Sequence, residues 1–176
     1  MDGPIFNFFH ASAAYTQLER LKRNRDLQRK GWDGPVLLRL HTRVEHMMGE
    51  DQLDARALAN VLWSLAQMSE RFSIPTKLLI ALVKSLPSKA RGMKPQESSN
   101  CLWACAKLMD VAPVVLEMAP AIVEEIPNRA KDMKPLELSN CFWALAKPKD
   151  CAPDVLNAVP AIVAQIAKKA EDMVAQ

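Results

Sequence analysis

Apolar residues recur at helical spacing in two alternating kinds of segment. In the first kind, residues 95–108, apolar and small side chains share one side after an initial proline. In the second kind, residues 113–131, the spacing is again helical and involves Val115, Leu116, Ala119, Ile122, Val123 and Ile126. Proline suits the first turn of a helix because its absent N–H would have no partner there. We therefore predict helix A over residues 95–108 and helix B over residues 113–131.

Helix B carries prolines beyond its first turn. Pro120 and Pro127 lie seven residues apart, and Pro153 and Pro160 follow in a later copy of the segment. An interior proline costs roughly 3 kcal/mol and kinks a helix. We predict that helix B is bent or segmented, with each kink bending it in the same direction and with its prolines towards solvent. The alternative is that helix B breaks at Pro120 into two short helices.

Two sets of residues repeat with a period of 40, namely Asn60, Asn100 and Asn140, and Trp63, Trp103 and Trp143. Tandem copies of a helical hairpin bury their apolar faces by stacking on one another. We therefore expect an all-α fold, a right-handed-type α-solenoid of two-helix repeats with a 40-residue period. Residues 50–176 would hold three units, 53–92, 93–132 and 133–172, with an uncapped C-terminal end.

Residues 1–49 are expected to form an N-terminal arm, a basic helix and a capping helix. Pro35 precedes Pro75 by 40 residues, so residues 35–48 would be an unpaired helix B behind a polar helix over residues 14–30. This part holds 8 Lys or Arg against 5 Asp or Glu, whereas residues 50–176 hold 15 of each. The basic run could contact phosphates or form a solvated helix face, and its candidate residues are Arg20, Lys22, Arg23 and Arg25.

The segments KPQESSNCLWACAKL (94–108) and KPLELSNCFWALAK (134–147) resemble the octotricopeptide and related heptatricopeptide repeats. Those helical hairpins occur with RAP domains in algal, dinoflagellate and apicomplexan proteins. The resemblance covers about residues 53–172 and implies RNA binding in a mitochondrion or chloroplast, although no presequence is visible. This chain departs from the family in its slightly longer unit, in having three clear units and in showing no RAP-like domain.

A polar stripe on helix A is the strongest candidate for ligand contact. In RNA-reading helical repeats, side chains on successive inner helices face successive bases. The stripe comprises Asn60, Ser64, Gln67, Asn100, Lys107, Asn140 and Lys147. The alternative is that the asparagines form a structural ladder, which is favoured because a row identical in every unit cannot distinguish bases. Similarly, we expect the three tryptophans to pack between units rather than to stack on bases.

Catalysis has no support in the sequence. The three histidines, His10, His41 and His46, precede the clear units, and no nucleophile elbow or phosphate-binding loop appears. We expect no enzyme activity, no cofactor, no metal and no membrane span. The cysteines lack metal-ligand spacing, and we expect them to pack as reduced, small apolar residues in a reducing compartment, namely Cys101, Cys105, Cys141 and Cys151.

We therefore expect a non-catalytic helical-repeat binding module. The leading partner is single-stranded RNA or a ribonucleoprotein in organellar RNA metabolism or ribosome assembly. The alternative is a docking or accessory subunit of a large organellar complex, with contacts through the open C-terminal face and through Ile5, Phe6, Phe8 and Phe9. The resemblance favours RNA. The even charge of residues 50–176 favours protein, because phosphate binding depends on many cationic contacts.

Overall fold

A computed structural model describes residues 6–21, 34–50, 53–70, 72–117, 119–147 and 158–174. All regular structure in these ranges is helical, which confirms the all-α prediction for this part of the chain. The α-helices are α1 (Phe8–Leu21), α2 (Gly34–Gly49), α3 (Ala55–Met68), α4 (Thr76–Lys84), α5 (Leu86–Ala90), α6 (Pro95–Leu108), α7 (Pro120–Val123), α8 (Ile126–Arg129), α9 (Pro135–Ala146) and α10 (Val159–Val174). Short 3-10 helices span Pro113–Leu116 and Ala130–Asp132.

The helices form two rows of neighbours. In the first row, hereafter the A row, α1 lies beside α3, α3 beside α6, and α6 beside α9. In the second row α2 contacts α4, α5 contacts α7, and α8 contacts α10. Buried apolar residues from both rows form one continuous cluster. Since burial of apolar area is the main favourable term in folding, this shared cluster joins successive hairpins into one core.

The A-row helices begin where the sequence pattern places them. The predicted helix A over residues 95–108 is α6, Pro95–Leu108. Glu97 accepts a hydrogen bond from the Lys94 backbone N–H at 2.9 Å, and Glu137 accepts the equivalent bond from Lys134 at 2.8 Å. These carboxylates satisfy backbone groups that the helix leaves unpaired and lie at the positive end of its dipole.

In the second unit helix B is segmented, which is one of the two predicted forms, and not a continuous bent helix. There the chain is divided into the 3-10 segment Pro113–Leu116, then α7, α8 and the 3-10 segment Ala130–Asp132. The alternative of a break at Pro120 is closer, since Pro120 begins α7. However, it missed a second break before α8, in which Pro127 is the second residue. Proline can occupy a first turn but cannot donate the interior hydrogen bond.

The other units act as internal controls for this effect. The first unit has Ile80 at the position of Pro120, and α4 runs through it without a break. The third unit has Ala167 at the position of Pro87 and Pro127, and α10 is continuous from Val159 to Val174. Helix B is therefore broken where proline occurs and continuous where it does not.

The N-terminal residues form one more hairpin-like pair. The helix α1 begins at Phe8, not near residue 14 as predicted, and residues 22–33 lie outside the described ranges. The predicted capping helix over residues 35–48 is α2, Gly34–Gly49. Asn60 Nδ2 donates a hydrogen bond to Ser12 Oγ at 3.1 Å, so α1 holds the A-row position ahead of α3. The helix therefore begins earlier than predicted, and its first residue, Phe8, packs against the core.

A buried aromatic pair joins α1 to α2. The rings of Tyr15 and His41 are nearly parallel, at 5°, with centroids 5.9 Å apart. Tyr15 Oη and His41 Nε2 are buried and have no hydrogen-bond partner among the described residues. Burial lowers the pKa of His41, although the nearby Glu45 carboxylate opposes the shift, and burial raises the pKa of Tyr15. The folded protein therefore favours neutral His41.

Replacing Ala167 with proline should reproduce in α10 the break that Pro127 causes in the second unit. The substitution removes a backbone donor inside a continuous helix, so the free energy of unfolding should fall by about 3 kcal/mol in urea denaturation. Ala167→Gly is the matched control and should cost only about 1 kcal/mol. Equal losses for the two variants would contradict this account.

Stability should fall as the pH drops below about 6.5, the ordinary pKa of histidine. In that range the unfolded chain binds a proton at His41 that the folded protein binds only at lower pH, because its pKa is lowered. His41→Phe, which retains a ring beside Tyr15, should lose part of this dependence when urea midpoints are compared at about pH 7.5 and 5.5. The exposed His46 provides the control, and His46→Phe should retain the dependence of the unmodified protein.

Candidate functional site

The three matched tryptophans form a ladder along the A row. The ring centroids of Trp63 and Trp103 are 4.3 Å apart with planes at 40°, and those of Trp103 and Trp143 are 5.8 Å apart with planes at 32°. Trp63 and Trp103 are half-buried, while Trp143 is 42% exposed. The prediction that the indoles pack between units is therefore confirmed, although they line the edge of the core rather than its interior.

The ladder limits what the tryptophans can bind. Base stacking requires an open ring face, and Trp103 has an indole neighbour on each side at ring-contact distance. A base cannot enter between successive rings without separating the units. Trp143, the last ring of the ladder, has no described indole beyond it, and Lys147 Nζ lies 5.9 Å from its centroid.

The asparagine column has different surroundings in each unit. Asn60 bonds to Ser12 across the α1–α3 contact, as expected for a structural role. Asn100 and Asn140 are half-buried and make no side-chain hydrogen bond within the described ranges. Ser99, next to Asn100, instead donates to the Glu137 carbonyl oxygen at 3.0 Å and so joins α6 to α9.

Two other residues of the polar stripe are turned towards the protein. Ser64 is buried, so its hydroxyl is not accessible to a ligand. Gln67 is half-buried and takes part in an intramolecular interaction.

The two lysines of the stripe bind acidic residues of the preceding unit. Lys107 pairs with Glu70, and Lys147 Nζ lies 2.7 Å from Asp110 Oδ2 and 2.9 Å from the Ala106 carbonyl oxygen. Each lysine therefore contacts an acidic residue that lies 37 residues earlier in the chain. Both are part-buried in these pairs, so the positions predicted to meet phosphates are occupied by contacts between units.

The second row has cross-unit cations that the sequence analysis missed. Arg129 donates to four carbonyl oxygens, those of Ala90 at 2.9 Å, Arg91 at 2.7 Å, Met93 at 2.7 Å and Glu125 at 3.1 Å. At the matched position Lys169 lies 3.5 Å from the Lys131 carbonyl oxygen. The signal was present in the sequence, because Lys89, Arg129 and Lys169 are basic residues separated by the 40-residue period.

Only part of the predicted N-terminal contact residues can be placed. Arg20 is exposed in the last turn of α1, whereas Lys22, Arg23, Arg25 and Ile5 lie outside the described ranges. Phe6 and Phe8 are half-buried against the protein's own core. Phe9 is 63% exposed.

A cavity between α1 and α3 brings several candidate residues together. Its volume is about 320 Å³, and its lining includes Phe9, Arg20 and Asn60 together with Arg56, which the sequence analysis did not select. Arg20 and Arg56 form no ion pair within the described ranges. An aromatic ring, two guanidinium groups and an amide are suited to an anionic, planar ligand. The Asp54 carboxylate in the same lining accepts a hydrogen bond from the Ala57 backbone N–H at 2.7 Å.

The C-terminal face, formed by α9 and α10, leaves apolar side chains exposed. Phe142 is 43% exposed and Ile166 is 39% exposed, whereas the matched Leu102 and Ile126 of the second unit are 3% and 0% exposed. Val163 and Val123 differ in the same way, at 46% and 2%. In the second unit the matched Leu102 and Ile126 lie on α6 and α8, which contact α9 and α10 of the third unit. A cavity of about 250 Å³ lies on this face between Phe142 and Ile166.

The cysteines within the described ranges are apolar packing residues. Cys101, Cys105 and Cys141 are buried and unpaired, and Cys151 lies outside those ranges. Burial raises the pKa of Cys105 and of Cys141 to about 12, so their thiols remain protonated near neutral pH. No group of three or more His, Cys, Asp or Glu side chains in the described part could hold a metal ion.

None of the described helices is both long enough and apolar enough to cross a bilayer. Comparison with protein-family models, with curated proteins and with solved structures finds no match to the chain. The assignment to octotricopeptide-type repeats therefore stays a prediction that rests on the repeated motifs.

The position of each tryptophan in the ladder should determine its contribution to stability. Trp103→Ala removes a ring with neighbours on both sides, so the free energy of unfolding should fall by about 3 kcal/mol. Trp143→Ala removes a half-exposed ring with one neighbouring indole and should cost about 1 kcal/mol. Urea denaturation followed by circular dichroism measures both values. Similar losses would show that the rings act separately.

Proposed function

We propose that this chain is a non-catalytic α-solenoid binding module, built from two-helix repeats with a 40-residue period, that docks a protein partner on its C-terminal face. The proposal is supported by the two rows of neighbouring helices and by cross-unit bonds that recur at matched positions. The observation that carries the docking function is the exposure of Phe142, Val163 and Ile166, whose counterparts one unit earlier are buried.

The exposed residues of this face have an energetic reason to be covered. Burying a large apolar side chain completely contributes roughly 1.5–3 kcal/mol, so each of these half-covered residues would contribute about 1 kcal/mol when a partner covers it. Clustered apolar residues of this kind mark interaction sites, whereas isolated ones do not. Phe142 and Ile166 line one cavity and therefore form a cluster.

Charge favours a protein over RNA as the ligand of the repeats. Residues 50–176 hold 15 basic and 15 acidic residues. The basic side chains best placed on the repeats, Lys107, Lys147 and Arg129, are engaged in contacts with the preceding unit. RNA affinity depends on the release of counterions at many cationic contacts, and the even charge of residues 50–176 does not favour such binding.

Single-stranded RNA is the second candidate, and the cavity between α1 and α3 favours it. Arg20 and Arg56 would contact phosphate while Phe9 stacks on a base. RNA would then contact the N-terminal end of the A row rather than the whole row of asparagines. The organellar setting implied by the family resemblance is part of the same proposal.

Photo-crosslinking from the C-terminal face tests the docking function. With p-benzoylphenylalanine at position 166, we expect a discrete protein adduct in an extract of the source cells, resistant to ribonuclease and lost when Phe142→Glu is added. The adduct should re-form with the purified partner. The same probe at exposed position 9 should not give it. An adduct that forms equally in the presence of Phe142→Glu, or no adduct at all, contradicts docking.

A separate binding experiment tests single-stranded RNA as the ligand. Random single-stranded RNA is titrated at about 50 and 200 mM salt, over which a site with several phosphate contacts weakens steeply. If the cavity binds RNA, Arg20→Ala with Arg56→Ala should abolish the salt-dependent binding, while Lys107→Met with Lys147→Met should preserve it. Absence of binding at the lower salt concentration excludes this candidate.

A further inference from the structure

One side of the A-row helices stays accessible to solvent across three units. The asparagine column and the tryptophan ladder lie on this side, and we call it the A-row strip; it comprises Asn60, Asn100, Asn140, Trp63, Trp103 and Trp143. All six side chains are half-buried or exposed, whereas Cys101 and Leu102, which lie between Asn100 and Trp103 in α6, are buried. The strip is therefore a continuous surface that runs across the helices.

The strip contains amide groups that the fold leaves unused. Asn60 donates to Ser12, but Asn100 and Asn140 make no side-chain hydrogen bond within the described ranges. Neither of their amides is among the buried polar atoms of that part of the chain. Each amide therefore offers a donor group and an acceptor to a ligand. Because Asn100 and Asn140 lie on neighbouring helices, a ligand that bonds both must run along the row.

The spacing of the helices indicates the conformation of such a ligand. Packed helices lie about 8–10 Å apart, and the short asparagine side chains stay close to their own backbones. A polyproline II helix rises about 3.1 Å per residue, so one turn of three residues spans roughly 9.3 Å and presents the same side to every unit. A β-strand needs about three residues for the same distance and, because its side chains alternate, turns opposite sides to successive units.

The charges around the strip are balanced. Lys107 pairs with Glu70, whose side chain remains 66% exposed. Lys147 pairs with Asp110, whose side chain remains 72% exposed. The first turns of the same helices add one cation and two carboxylates, namely Arg56, Glu97 and Glu137. An uncharged peptide fits such a surface, whereas the phosphates of RNA would meet exposed carboxylates.

The tryptophan ladder suits proline side chains. The ring centroids of successive indoles lie 4.3 and 5.8 Å apart, so the rings form a continuous apolar ridge. A pyrrolidine ring can pack on this ridge from the solvent side, without the separation of units that a stacked base requires. Because proline has no N–H, a proline-rich ligand offers carbonyl acceptors, and the strip carries donors in its amides and indole N–H groups. Aromatic-lined grooves recognise polyproline II segments.

We propose that the A-row strip binds a proline-rich peptide in the polyproline II conformation, which runs along the row with one turn of the ligand per unit. Prolines at every third position pack on the tryptophan ladder, and peptide carbonyl groups accept hydrogen bonds from Asn100 and Asn140. The C-terminal face is a separate surface with a different kind of ligand, so either proposal can fail without the other.

Synthetic oligoprolines test the site. Fluorescently labelled peptides of three, six and nine prolines are titrated with the protein and followed by fluorescence anisotropy. Because each added turn reaches another unit, the affinity should rise about fivefold for every three prolines added. A flexible glycine–serine peptide of nine residues should bind about tenfold more weakly than nonaproline, because it is not preformed. Absence of nonaproline binding at about 1 mM protein, or equal binding of the two nine-residue peptides, overturns the proposal.

Variants of the strip locate the binding. Asn100→Asp with Asn140→Asp keeps the shape of both side chains and removes their donors, so nonaproline should bind about tenfold more weakly. Trp143→Ala, at the most exposed ring of the ladder, should also weaken binding about tenfold. The control is Leu38→Ala, which removes a 59% exposed apolar side chain from α2 in the second row and should change the affinity less than about twofold. Unchanged affinity in the asparagine variant or in the tryptophan variant contradicts the proposal.

Competition identifies the class of ligand. A nine-nucleotide oligouridylate should not displace labelled nonaproline at about 150 mM salt, because the charges around the strip are balanced. If the oligonucleotide displaces the peptide and its own binding is lost in the asparagine variant, the strip is an RNA surface and the proposal is overturned. Circular dichroism checks the folding of every variant. If the aspartate variant unfolds, Asn100→Ala with Asn140→Ala replaces it, with the same expected loss of affinity.

Discussion

Contact between successive hairpins is the interaction on which this structure depends. Among the A-row helices, α6 carries few large apolar residues, and both α6 and α9 bury cysteine and alanine. Small side chains let neighbouring helices approach, and the indoles fill the space at one edge. Buried residues of all the hairpins belong to one continuous cluster, so each hairpin covers part of its neighbour's apolar surface.

The sequence predicted the A row well because its signals are local. A proline, a glutamate in the first turn and helical apolar spacing fall within one segment, and α6 has the predicted bounds. Helix B was harder to predict. Proline can bend a helix or end it, and the choice depends on whether the freed carbonyl groups find other donors. Arg129 makes another contact that local spacing cannot reveal, because it donates to the Ala90, Arg91 and Met93 carbonyls where α5 ends.

The binding surfaces were less predictable than the fold for a related reason. A lysine on a polar stripe looks available until its partner 37 residues earlier is known, and Lys107 and Lys147 both have such partners. Likewise, a repeated tryptophan is compatible with base stacking until the neighbouring ring is seen to occupy its face. The exposed C-terminal face could not be predicted from residue type. Phe142 and Leu102 are both apolar and differ in how far they are buried.

The cation pairs also bear on how such an array could change length. At the α3–α6 and α6–α9 contacts the later unit supplies a lysine that reaches back to an acidic residue of the earlier unit, so these two junctions use the same pairing. Duplicating or deleting one whole 40-residue module would therefore leave no buried charge without its counterpart. Loss of part of a module would leave one of these charges without its counterpart. The second and third modules share 23 of 40 residues without a gap, which is what growth by copying whole modules would produce.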